Sequence, residues 1–150
     1  MASKFRVNYN FPAHENYKSV ETEDYTIGEG KDLIRTDGVN TCLAITLYDT
    51  QKKKGALAHI TGLYDAPEKL IPENIIDTLL GELCNSENLE VTLSGEGLIL
   101  VGEDQRSSSI VRKKLQEHKI PIVGEELNLA PFGKLVFLDC DTGNVDVYIP

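Results

Sequence analysis

Two hydrophobic periods divide this chain. Leu43, Ile45 and Leu47 alternate with Ala44, Thr46 and Tyr48, which is the two-residue period of a strand. The run from Ala56 to Ile60, beyond the polar segment 49–55, supplies a partner, so residues 36–59 are expected to form a β-hairpin. Ile75, Ile76, Leu79, Leu80 and Leu83 instead share one face at three- and four-residue spacing, which predicts a helix with Pro72 near its first turn. Cys84 closes that stripe and is expected to be a buried apolar thiol. A second helix is expected after Asp104 as N-cap, with Ile110, Val111 and Leu115 inward and Arg112, Lys113, Lys114 and Lys119 toward the end that favours cations. Pro121 stops it.

The other periodic stretches are short. Residues 1–24 hold one alternating run, Phe5, Val7, Tyr9 and Phe11, and are expected to be an N-terminal extension or an edge strand. Residues 25–27 and 33–35 suggest two strand pieces joined by the turn Gly28-Glu29-Gly30. Further strands are expected at Leu89–Leu93, at the apolar run 98–101, at Ile122–Glu126, and in a closing hairpin of 135–139 with 145–149. The fold class is therefore α+β, with residues 25–150 as a single domain.

The hairpin also carries chemistry. If Tyr48 faces Lys53 across a four-residue loop, Cys42 falls opposite His59, with Cβ atoms about 4.5–5.5 Å apart. A thiol beside an imidazole suits nucleophilic catalysis, because the thiolate attacks and a neighbouring His can hold it as an ion pair. Thr36 stands six residues upstream, and the turn Val39-Asn40-Thr41 leads into the cysteine. Backbone N–H groups around Asn40 and Thr41 could receive an oxyanion. Tyr64 and Asp65, in the loop after the hairpin, would border such a site.

Charge and cysteine content narrow the partners. The 150 residues carry a net charge of -9, which argues against nucleic acid or an anionic membrane surface. The basic run Lys52–Lys54 sits at the hairpin tip, where solvated charge is the simpler reading. Met1–Asn8 lacks the apolar core of a signal peptide, and no apolar run reaches the length of a membrane span. Cys42, Cys84 and Cys140 show no C-x-x-C spacing, so neither a disulfide framework nor a metal site is expected, and a reducing cytoplasm fits. His14 and His118 are expected at the surface. Asp141-Thr142-Gly143 matches an aspartic-protease triplet but suits a polar turn, and Ser107-Ser108-Ser109 suits a hydrophilic first helical turn. No cofactor motif is supported, since neither Gly28-Glu29-Gly30-Lys31 nor Gly95-Glu96-Gly97 completes a nucleotide loop.

Thr36-x-Gly38-x-x-Thr41-Cys42, an apolar strand ending in Leu47-Tyr48-Asp49, and Gly55-x-x-Ala58-His59 together resemble the chemoreceptor glutamine deamidase family, CheD. Ile120-Pro121-Ile122-Val123-Gly124-Glu125-Glu126 and the segment from Gly133 to Val145 extend the resemblance over most of residues 25–150. Asn40-Thr41 replaces the family's Gly-Ser, and Ser94-Gly95-Glu96-Gly97 replaces its glycine-rich middle stretch. The resemblance implies mixed β-sheet layers with two main helices outside. It implies a triad in which Cys42 is nucleophile, His59 is general base and acid, and Thr36 holds the imidazole. The expected activity is hydrolysis of a glutamine side-chain amide in a protein substrate through a Cys thioester, with a chemotaxis receptor or phosphatase as partner. A deamidase toxin or effector, a transglutaminase-like acyl transferase and a catalytically silent binding module stay open beside it.

Overall fold

The computed structural model describes residues 4–10, 16–63, 65–84, 87–97, 102, 105–128, 130 and 132–150. Ten strands and two helices follow in the order β1 (Phe5–Asn8), β2 (Lys18–Val20), β3 (Asp24–Glu29), β4 (Leu33–Val39), β5 (Leu43–Asp49), β6 (Lys54–Ile60), α1 (Ile75–Glu82), β7 (Leu89–Gly95), α2 (Ser107–Glu117), β8 (Ile122–Glu126), β9 (Lys134–Asp139) and β10 (Val145–Tyr148). A single turn of 3₁₀ helix, Glu68–Leu70, precedes α1. The strands form two five-stranded mixed sheets, in the orders β1-β10-β9-β4-β2 and β3-β6-β5-β7-β8. The fold is α+β, as the sequence indicates.

The composition of the central hairpin explains the layering. Every residue of β5 is buried, which requires cover on both faces of its sheet. Leu43, Ile45 and Leu47, with Ala56, Ala58 and Ile60 of β6, pack in one core with Ile75, Ile76, Leu79 and Leu83 at α1 and with Val111 and Leu115 of α2. Ala44, Tyr48 and Leu57 point the other way, into a second core with Ile34, Val39, Val136, Leu138, Val145 and Val147 of the facing sheet. The order of layers is thus sheet, sheet, helices, with both helices on one side. Each fully buried Leu, Ile or Val contributes about 1.5–3 kcal/mol, so this hairpin anchors both cores.

The register of that hairpin differs from expectation. The strands pair Asp49 with Lys54, Tyr48 with Gly55 and Ala44 with His59, which leaves Thr50–Lys53 as the loop. Asp49 is the cause: its Oδ1 accepts the N–H groups of Gln51 and Lys52, both at 2.9 Å, and its carbonyl accepts that of Lys53 at 3.1 Å. Lys53 takes a left-handed φ of 51° to complete the turn. Because the displacement is two residues, the faces are unchanged, and Cys42 still extends the face that carries Ala44 and His59.

The expected strand pieces are β3 and β4, which are adjacent in sequence yet belong to different sheets, so the turn between them carries the chain from one layer to the other. One other expectation changes. Cys84 is exposed rather than buried, because α1 ends at Glu82 and Cys84 adopts a left-handed φ of 57° that swings it off the apolar stripe. The expected strand 98–101, the N-cap Asp104, Phe11 and His14 lie outside the described residues. The first turn of α2 is the serine run, and its cap is distant in sequence: Ser108 N–H donates to both oxygens of Glu96 at 3.2 Å. No helix of the described residues is long and apolar enough to cross a membrane.

Candidate functional site

His59 and Thr36 face each other across the two sheets. Both are 1% exposed, and Thr36 Oγ1 lies 2.8 Å from His59 Nδ1. The same hydroxyl donates to the Val20 carbonyl at 2.8 Å. A hydroxyl has one hydrogen, so at His59 it accepts, and Nδ1 carries the ring proton. This fixes the neutral tautomer with its lone pair on Nε2. That atom is buried and has no hydrogen-bond partner among the described residues. Burial lowers the His59 pKa below its usual 6.5, with Asp37 opposing the shift, so the ring is neutral near pH 7.

Cys42 is half-buried at the mouth of β5. The observed register pairs His59 with Ala44 and ends at Leu43 opposite Ile60, so Cys42, one residue before the ladder, is not the direct partner of His59. Burial raises its thiol above the usual 9.0, the Thr41 hydroxyl pulls it down, and the charge of Glu23 raises it further. Both shifts run against the resting thiolate–imidazolium ion pair expected from the sequence. Desolvation favours the neutral form of each group.

The loop before Cys42 is held by its carbonyls. Glu96 N–H donates to the Cys42 carbonyl at 2.9 Å and Gly97 N–H to that of Asn40 at 2.7 Å. The N–H groups of Thr41 and Cys42 donate to no acceptor among the described residues, and Asn40 Oδ1 is buried and unpaired. Gly95 makes this approach feasible: its φ is +121°, and a Cβ there would run into the Cys42 carbonyl. Glu96 thus bridges two functions of the chain, pinning the cysteine loop through its backbone and capping α2 through its side chain.

Glu23, at the start of β3, is tied to the same place. Its N–H donates to the His59 carbonyl at 2.7 Å, and its Oε1 accepts the Thr61 N–H at 2.9 Å and the Thr61 hydroxyl. Its Oε2 is buried without a partner among the described residues. Neither Glu23, Glu96 nor Val20 stands out in the sequence. The acid between two glycines, Gly95-Glu96-Gly97, was a usable signal for a strained turn, whereas Glu23 is hidden in the acidic run Glu21-Thr22-Glu23-Asp24.

Asp65 is exposed in the loop after β6 and forms no hydrogen bond or ion pair with Cys42, His59 or Thr36; Tyr64 lies outside the described residues. His118 is a surface residue paired with Asp77 at 3.0 Å. Among the described residues no group of three or more His, Cys, Asp or Glu side chains is arranged to hold a metal ion.

Comparison with known proteins finds relatives along most of the chain. It is 31% identical over 143 residues to a probable chemoreceptor glutamine deamidase CheD of Clostridium tetani, covering 83% of this chain and 86% of the relative. Proteins of the same name from Natronomonas pharaonis and Haloarcula marismortui are 28% and 26% identical over 144 and 137 residues. These alignments cover 85% of this chain and 85% of the first relative, and 81% and 78% for the second. No family model matches the chain.

Proposed function

The chain belongs to the CheD family, and from that premise we propose that it hydrolyses the side-chain amide of a glutamine in a protein substrate, with a chemoreceptor as the favoured class. The observation that carries the reading is the buried Thr36–His59 hydrogen bond, which leaves an unpartnered Nε2 on the face that Cys42 extends. Cys42 is the nucleophile, His59 the general base and acid, and Thr36 the positioning residue. The free thiols suit a reducing cytoplasm.

The chemistry starts from the neutral pair. As the Cys42 sulfur attacks the amide carbon, Nε2 takes the thiol proton, the C–S bond forms and the carbonyl π electrons move to oxygen. The N–H groups of Thr41 and Cys42 are suitably unengaged to receive that oxyanion. Collapse breaks the C–N bond, and imidazolium gives its proton to the leaving nitrogen, so ammonia departs and a thioester remains. Nε2 then takes a proton from water as it attacks; the C–S bond breaks, the sulfur recovers its proton, and a γ-carboxyl group is released. The contact between sulfur and Nε2 tightens when substrate enters, as catalytic contacts commonly do.

A binding module without turnover is the second reading. One observation favours it: the thiol of Cys42 does not hydrogen-bond the imidazole, whose Nε2 has no partner among the described residues. Intact mass of chemoreceptor cytoplasmic fragments after incubation separates the two, because each amide hydrolysed adds about one mass unit. Under the deamidase reading the wild type adds that mass, while Cys42→Ser and His59→Ala do not. Unchanged mass with wild type, alongside binding that survives Cys42→Ala, leaves the module.

A further inference from the structure

Glu23 is tied by hydrogen bonds to His59 and to Thr61, and after burial its charge also raises the Cys42 thiol, although a nucleophile that must lose a proton is poorly served by a nearby carboxylate. Its main chain is fixed by the 2.7 Å bond to the His59 carbonyl, and it adopts a left-handed φ of 60° that non-glycine residues seldom take. One carboxylate oxygen is saturated by Thr61. Thr61 follows Ile60, whose strand partner Leu43 follows Cys42. The second oxygen, Oε2, is buried with no donor among the described residues. A buried carboxylate oxygen without a partner is costly, and strain that persists beside a reactive group points to a role there.

The missing complement is a hydrogen-bond donor to Oε2. A glutamine carboxamide brings two N–H donors on the nitrogen that will leave, and its product, a γ-carboxylate, brings none and carries a negative charge. We propose that Glu23 is a specificity-determining residue: its Oε2 accepts a hydrogen bond from the carboxamide nitrogen of the bound glutamine and repels the γ-carboxylate of the product. This rests on the deamidase reading and deepens it. The one group thus selects the amide on entry and favours departure of the acid, a discrimination that a purely apolar pocket cannot make between near-isosteres.

The test compares wild type with Glu23→Gln on one chemoreceptor cytoplasmic fragment, with the same fragment bearing glutamate at the reacting position as inhibitor. Glutamine at position 23 can still accept the Thr61 N–H, but it offers an N–H where Oε2 stood. The expected result is a KM about tenfold higher for the glutamine form, a Ki about tenfold lower for the glutamate form, and kcat within about threefold, so the ratio of the two constants shifts about a hundredfold. A folded, active Glu23→Gln with an unchanged ratio overturns the inference, as does a parallel change in both constants, which is what a merely structural role or a contact to the substrate backbone would give. If Glu23→Gln does not fold, Glu23→Asp decides: it keeps the charge and withdraws the oxygen, so KM must rise while product exclusion persists, and an unchanged KM overturns the proposal. Absence of ammonia release by the wild type removes the deamidase reading itself, an outcome distinct from the others.

Discussion

Thr36 and His59 sit in different sheets and are joined by one hydrogen bond of 2.8 Å, the hydroxyl accepting from Nδ1 while it donates to Val20. A threonine holds an imidazole in one tautomer without supplying charge, so it orients the ring and does not raise its basicity as a carboxylate would. Thr36→Ala should therefore slow ammonia release by roughly tenfold to a hundredfold, equivalent to about 1.4–2.7 kcal/mol of barrier. Thr36→Ser should retain most of the rate. Steady-state assays on both variants check this, and equal loss in the two would point to packing rather than the hydroxyl.

The depressed pKa of His59 has a sign that can be followed in acid. The unfolded ring protonates near its usual 6.5 and the buried ring only below it, so between those values the unfolded state holds more protons. Stability contributed by neutral His59 is complete above 6.5 and declines as pH falls from there to the folded value. Activity on the acid side should fall over the lower part of the same range, because a protonated Nε2 cannot accept the thiol proton. Urea melts and kcat/KM against pH, with His59→Gln flattening the acid limb of the stability profile, measure both.

Thiol labelling should follow exposure and desolvation, not catalytic rank. Cys84 is exposed, Cys42 is half-buried with its thiol above the usual 9.0, and Cys140 is buried and pushed up to about 12. Limiting iodoacetamide at pH 7 should label Cys84 first, Cys42 later and Cys140 last, read by peptide mapping. Raising the pH above 9 should accelerate Cys42 selectively over Cys140. Fastest labelling of Cys42 at pH 7 would restore the ion-pair description.

Glu96 should couple stability to activity. Replacing it with alanine removes the acceptor for the Ser108 N–H and a negative charge from the start of α2, at a cost of about 1–2 kcal/mol. The backbone bond to the Cys42 carbonyl remains available, so kcat should fall by less than about tenfold at temperatures where the variant is folded. Thermal melts and activity on the same preparation provide the comparison.

The sequence discloses elements better than it discloses their partners. β5, β6, β8, α1 and the closing hairpin of β9 and β10 follow from hydrophobic period, because one or both faces must be covered whichever neighbour covers them. The hairpin register depends instead on one side chain, Asp49, whose bonds to Gln51 and Lys52 place the loop at Thr50–Lys53. The separation of β3 from β4 into two sheets depends on long-range pairing with β6 and β9, for which local pattern carries no information. At the site, Thr36 and His59 were legible through their spacing and the family resemblance, and the two are hydrogen-bonded. The desolvation around Cys42 was not legible, because burial is a property of the packed layers and not of spacing.

The layer crossing between β3 and β4 makes timing part of the chemistry. β4 pairs with β2 through three residue pairs and with β9 along most of its length, and β9 in turn pairs with β10. As the chain is made, Cys42 and His59 can come together in a local hairpin while residues 134–148 are still unsynthesised. Thr36 lies only 23 residues from His59, but the sheet that carries it is completed by β9, a pairing of long sequence separation that is expected late. A growing chain can thus bring Cys42 near His59 before the Thr36 sheet is complete, and the fixed imidazole tautomer is expected only with the final strands.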